Sequence, residues 1–143
     1  MADINKTALL ILKADHTAFL ANRKMRDGML SQWLMPGGKI EEGETFEESL
    51  VREIREELSC ELDPSSLEPI AEYEAPAAGQ PGKTVNIKLY SGVIQGEPVP
   101  TNEIVAIGWL GKKDHENREV SEIIREKIIP DLVRRNLLIN SST

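Results

Sequence analysis

Apolar residues crowd positions 7–15 (TALLILKAD) and 17–25 (TAFLANRKM), with Asp15-His16 between them. Two such runs around a turn-forming pair predict a strand, a tight turn and a second strand, paired as a hairpin. In the stretch SQWLMPGG that follows, Pro36 holds Met35 extended and Gly37-Gly38 permits a sharp change of direction, so a loop is expected. The period then changes. Phe46, Leu50, Ile54 and Leu58 recur at every fourth position, which at about 100° per residue forms one buried stripe of a helix. Thr45 with Glu48 three residues later matches a capping box, which starts the helix at Thr45.

Residues 67–75, 84–94 and 103–111 predict further strands, separated by Pro- and Gly-bearing loops at 76–83 and 95–102. Residues 117–138 predict a second helix with Val120, Ile123, Ile124, Ile128 and Leu132 on one side. Pro130 either kinks that helix or begins a new turn, and the tail 139–143 is expected to fray. The chain shows no internal repeat, low-complexity tract or linker. Mixed strands with one central and one C-terminal helix predict an α/β fold, a sheet covered by helices on its faces. The pattern leaves parallel and antiparallel pairing open.

Length and composition narrow the function classes. At 143 residues the chain is expected to form a single domain over 1–143. With 40% hydrophobic and 29% charged residues it reads as soluble and globular, and no segment has the apolar length of a membrane span. The apolar run near the N-terminus is too short and too soon interrupted for a signal peptide, so a cytoplasmic protein is expected. A net charge of -7 opposes binding to a nucleic-acid polymer, whose phosphates require a basic face. One cysteine, Cys60, excludes an intrachain disulfide and a multi-cysteine zinc cluster; His16 and His115 read as surface residues.

The acidic helix carries the chemistry. Glu53, Glu56 and Glu57 follow the i, i+3, i+4 spacing that stacks three carboxylates within reach of one another beside the apolar stripe. A solvated face screened by Arg52 and Arg55 is the competing reading. Glu48 and Glu56 both draw on Arg52, however, and Arg55 points away, which leaves the triplet under-neutralised. A hard cation such as Mg²⁺, held by carboxylates and bridging to substrate phosphates, explains the clustering. It also lets an acidic protein bind an anion. The segment GKIEEGET copies the spacing of a phosphate-binding P-loop, but Glu44 stands where that motif needs lysine, and a carboxylate there repels phosphate.

Gly38, five residues, Glu44, seven residues and then REIREE from Arg52 to Glu57 resemble the signature of the Nudix hydrolase family. A chance match of those six positions is on the order of one in ten thousand. The preceding WLMPGG and the later EIVAIGWL are also similar to family segments, so the resemblance covers about 7–110. It implies an α/β/α sandwich with a mixed sheet between helices, and Mg²⁺-dependent hydrolysis (Mn²⁺ a substitute) of a nucleoside diphosphate linked to another group. Carried over by position, Glu53, Glu56 and Glu57 become metal ligands and Arg52 orients a glutamate. Gly38 offers a backbone contact at the metal and substrate site, and Glu44 supports the loop and helix geometry.

Ser59 departs from the pattern, standing where the family usually has glycine after the helix. Glu103, six residues before Trp109, resembles the additional glutamate that MutT-like members direct at the metals, and Arg23 resembles a basic residue that meets a terminal phosphate, with Lys24 and Arg26 competing for that role. Trp33 is read as packing, while Tyr73 and Tyr90 are unassigned. The leading expectation is a pyrophosphohydrolase that cleaves a nucleoside triphosphate, oxidised or normal, to the monophosphate and pyrophosphate. Alternatives are an ADP-ribose or nucleotide-sugar pyrophosphatase, and a noncatalytic nucleotide sensor. The partner implied is a small nucleotide, and the assembly a monomer or homodimer.

Overall fold

The computed structural model describes residues 2–77 and 79–140; Ala78, within the expected loop 76–83, and 141–143 of the expected frayed tail lie outside the described residues. In chain order the strands are β1 (Ile4–Leu10), β2 (Phe19–Arg26), β3 (Met29–Leu30) and β4 (Gly37–Lys39), followed by helix α1 (Phe46–Leu58). After β5 (Glu61–Leu62) come β6 (Glu68–Pro76), β7 (Thr84–Ser91), β8 (Ile94–Gln95), β9 (Ile104–Leu110) and helix α2 (Ile129–Arg134).

One sheet is mixed, in the order β4-β1-β7-β6, with β1 parallel to β7 and the other pairs antiparallel. A second, antiparallel sheet runs β3-β2-β9, and β5 pairs with β8. The expected hairpin of 7–15 with 17–25 exists only at its turn. Leu12 bridges to Phe19 and Leu20 N–H donates to the Ile11 carbonyl, after which the strands part and enter different sheets. Tertiary pairing overrides adjacency: β1 finds seven partners along β7.

Side chains that alternate along β1 fill two cores. Ala8 and Leu10 join Phe19 and Ala21 of β2, Val85, Ile87 and Leu89 of β7, and Ile124, Ile128 and Leu132 of the C-terminal helical segment. Leu9 and Ile11 join Leu20 beneath Leu50, Ile54 and Leu58 of α1. The strands are therefore covered by one helix on each side, as expected. Burying each of the Val, Leu, Ile and Phe side chains among these contributes about 1.5–3 kcal/mol. Phe46 departs from its expected place: it is 37% exposed, with Lys88 Nζ 4.8 Å from its ring centroid. Phe46 shares a shallow surface hollow with Pro69, Ile70 and Tyr90 of β6 and β7 instead of joining the core.

The C-terminal helix is shorter than 117–138. Lys112–Glu116 form a 3₁₀ turn, and Ile124–Ile128 a π-turn leading into α2. Pro130 has no N–H to give Glu126, and its ring crowds that carbonyl; the wider turn, with Ile129 N–H donating to Ile124, absorbs both effects. The tail is not entirely loose, because Ile139 N–H donates to the His16 carbonyl. Among the described residues no helix is long and apolar enough to cross a membrane.

Candidate active site

The site forms where Gly37 and Gly38, expected in a loop but lying in β4 paired with β1, meet the last two turns of α1. Thr45 caps α1 through the expected box, with its hydroxyl accepting from Glu48 N–H and the Glu48 carboxylate accepting from Thr45 N–H. At the other end, Thr101 and Asn102 donate from their side chains to the Glu56 carbonyl, and Thr101 N–H donates to Glu57. That loop satisfies carbonyls a helix end leaves unpaired. It also sets the acidic turn in a fixed position. The expected loop at 95–102 thus has a structural task that Pro and Gly content did not reveal.

Glu57 is the buried member of the triplet, 5% exposed. Its Oε1 accepts from Gly37 N–H at 2.9 Å and from Asn22 Nδ2 at 3.4 Å, while Oε2 lies 3.3 Å from Lys24 Nζ. Burial pushes its carboxyl up to about 7, against the pull of Lys24 and the Gly37 N–H; the nearby Glu53 charge pushes it further up. Glu53 lies over Gly38, where a β-carbon would stand 2.7 Å from the Glu53 carboxyl carbon. Glycine at 38 makes room for that carboxylate. Glu56 is half exposed and touches Arg52 only at 3.3 Å.

Arg52 organises the rim. Its Nε and Nη2 donate to both oxygens of Glu44 at 2.6 and 3.1 Å, its Nη1 to Glu53 at 2.7 Å, and its Nη2 to the Lys39 carbonyl. These contacts hold the guanidinium charge well above its ordinary range and the Glu44 carboxyl below its own. Glu48 is held in the cap instead of competing for Arg52, and Arg55 pairs with Glu61 away from the triplet. Arg52 therefore neutralises Glu53 more fully than its sequence neighbours suggest.

Glu103 stands in the turn before β9 with its carboxylate on Arg26 at 2.6 Å, which lowers its pKa. The structure brings Glu53, Glu57, Gly38 and Arg52 together, with Glu56 at the rim and Glu103 held aside by Arg26. Arg23 is not among them. On β2, Leu20 faces α1 and Asn22 and Lys24 meet Glu57, whereas Phe19 and Ala21 face the other core. Arg23 donates to the Ser31 carbonyl, pairs with Glu119 and lies over the Trp33 ring. Asn22 is the residue that sequence reasoning missed, and Lys24, weighed there only as a competitor of Arg23 for a phosphate, meets Glu57 instead. Period-2 alternation from Leu20 would have found them.

The donor set suits a hard divalent cation in kind: carboxylate oxygens from Glu53, Glu56 and Glu57, with the buried Asn22 Oδ1 lacking any hydrogen-bond partner. Among the described residues no three acidic, histidine or cysteine side chains already converge on one point. Ammonium and guanidinium groups occupy the carboxylates instead, and Glu56 stands half exposed at the rim.

The chain is 34% identical over 58 residues to the 8-oxo-dGTP diphosphatase of Proteus vulgaris, covering 41% of this chain and 52% of that one. It is 31% identical over 124 residues to the ADP-ribose pyrophosphatase of Methanocaldococcus jannaschii, covering 87% and 70%. It spans about half or less of several other curated relatives. The crystal structure of the MutT protein from Methanosarcina mazei Go1 shares the fold, with a TM-score of 0.73 at 18% identity over 93% of this chain and 94% of that one. The family description NUDIX domain matches residues 4–132, and the chain belongs to that family.

Proposed function

We propose that the protein is a divalent-cation-dependent pyrophosphohydrolase that cleaves a nucleoside triphosphate to the monophosphate and pyrophosphate, with oxidised nucleotides among its candidate substrates. The observation that carries this reading is the buried Glu57 beside Glu53 at Gly37 and Gly38 of β4. Glu53, Glu56 and Glu57 are the side chains that would hold Mg²⁺, or Mn²⁺ in its place. The bound cation supplies polarisation of the phosphoryl oxygens and neutralises developing charge. Arg52 fixes the Glu53 carboxylate, Gly38 leaves the space in which it sits, and Glu103 is a fourth acid one ion pair away from joining them. The 31% identity to an ADP-ribose pyrophosphatase supports a second reading, cleavage of ADP-ribose to AMP and ribose 5-phosphate.

A Mg²⁺-dependent hydrolysis panel of nucleoside triphosphates, their oxidised forms, ADP-ribose and nucleotide sugars, with products resolved, separates these readings. Monophosphate and pyrophosphate from a triphosphate are expected. Glu56→Gln and Glu57→Gln are expected to lower turnover by at least about 100-fold with the fold intact. Unchanged turnover in both would remove the carboxylates from the mechanism. No turnover of any substrate would favour a nucleotide sensor.

A further inference from the structure

The two oxygens of Glu57 are used differently. Oε1 is held by the Gly37 N–H of β4 and by Asn22 Nδ2, whereas among the described residues the side chain on Oε2 is Lys24, 3.3 Å away. The Glu57 and Lys24 side chains are only 7% and 20% exposed. A carboxylate so withdrawn from water cannot stay ionised without a partner. A metal that uses Glu57 must therefore approach Oε2, the oxygen that the ammonium covers. Breaking the Gly37 contact would mean moving a strand, while moving Lys24 means rotating a flexible four-carbon stem.

The surroundings also favour release. Lys6 on β1, partly exposed, has its pKa lowered by desolvation and by repulsion from Lys24, Lys39 and Arg26, with Glu57 as its attractive neighbour. Cations crowded in this way resist a dication unless one of them withdraws. Arg26 is already committed to Glu103. Lys24 is the cation in contact with the carboxylate itself.

We propose that Lys24 is the protein's internal stand-in for the metal: its ammonium holds Glu57 Oε2 in the cation-free protein, and an incoming divalent cation displaces it. This rests on the reading of Glu57 as a metal ligand. Lys24 is thus a positioning residue. It holds Glu57 Oε2 in place until the cation arrives, and it sets a threshold that the cation must overcome.

The test is amine-reactive labelling of the full chain read by peptide mass spectrometry, with and without Mn²⁺, while Mn²⁺ occupancy is followed by electron paramagnetic resonance in the same samples. Labelling of Lys24 is expected to rise at least about 3-fold with bound Mn²⁺, while exposed Lys113 stays unchanged. In Glu57→Gln, Lys24 is expected to label fast from the start and to ignore Mn²⁺. Lys24→Met, free of the competing ammonium, is expected to bind Mn²⁺ about 3- to 10-fold more tightly at pH 8.5. Full Mn²⁺ occupancy with unchanged Lys24 labelling would overturn the proposal and leave the metal site standing. Absence of Mn²⁺ binding would overturn both.

Discussion

Gly37 and Gly38 are neighbours with different tolerances. At Gly37 the backbone has φ +137°, and an added β-carbon would lie 2.1 Å from the Thr7 carbonyl oxygen. Neither strain can relax without parting β1 from β4. At Gly38 the obstruction is the end of the Glu53 side chain. Gly37→Ala is thus expected to destabilise the fold by on the order of 3 kcal/mol. Gly38→Ala is expected to stay within about 1 kcal/mol of wild type while turnover drops at least about 10-fold, because Glu53 must move. Thermal midpoints and turnover of the two variants check this; an active Gly38→Ala would mean that the position of Glu53 does not matter. The two glycines marked this position as a loop, whereas they form strand β4, and their separate reasons depend on what folds against them.

Glu57 makes a second residue-scale prediction. Its carboxyl rises from an ordinary 4.5 to about 7 on burial, so the folded chain binds this proton more tightly than the unfolded one. The resulting stabilisation is fully present below about 4.5 and is lost as pH rises through about 7. In metal-free buffer the stability of wild type relative to Glu57→Gln is expected to fall by roughly 3 kcal/mol between pH 4.5 and 7.5. Glu44, Glu61 and Glu103, whose pKa values are lowered by arginine partners, work in the opposite sense at lower pH, and they cancel in this difference. Urea denaturation across the range measures it. A flat difference would show Glu57 ionised throughout.

Among the elements, α1 was the most legible, since its capping box and its Leu50, Ile54 and Leu58 stripe are local properties. Its exit shows what the departure at Ser59 means. Ser59 takes the left-handed conformation, φ 56° and ψ 33°, and its N–H donates to Arg55. The helix ends as a glycine would end it, with a side chain that disfavours the shape. Ser59→Gly is expected to stabilise the protein by up to about 1 kcal/mol without changing turnover, as a shift in urea midpoint at constant slope. Loss of stability would mean that the serine side chain makes a compensating contact. The C-terminal helix was less legible because its apolar spacing fits both an α-turn and a π-turn. Pro130 marked the place but not the outcome.

At the scale of the whole molecule, neighbouring segments did not reveal their partners: β1 leaves β2 for β7 and β4, a choice that depends on burying both of its faces at once. The same long-range assembly brings Lys24 and Asn22 from β2 to Glu57 on α1; alternation along β2 puts the two on one face, but only the fold decides what that face meets. The site is therefore a point of opposed charge that folding has forced together, with carboxylates from one helix and cations from strands of two sheets. A cation that binds the folded state and not the unfolded chain stabilises it by mass action. Mg²⁺ is expected to raise the thermal midpoint of wild type, and to raise it much less in the Glu53→Gln, Glu57→Gln double variant. Scanning calorimetry at fixed ionic strength separates this from screening, which would act on both proteins alike. Equal shifts would place the effect on the general charge of -7 instead of on the carboxylates of α1.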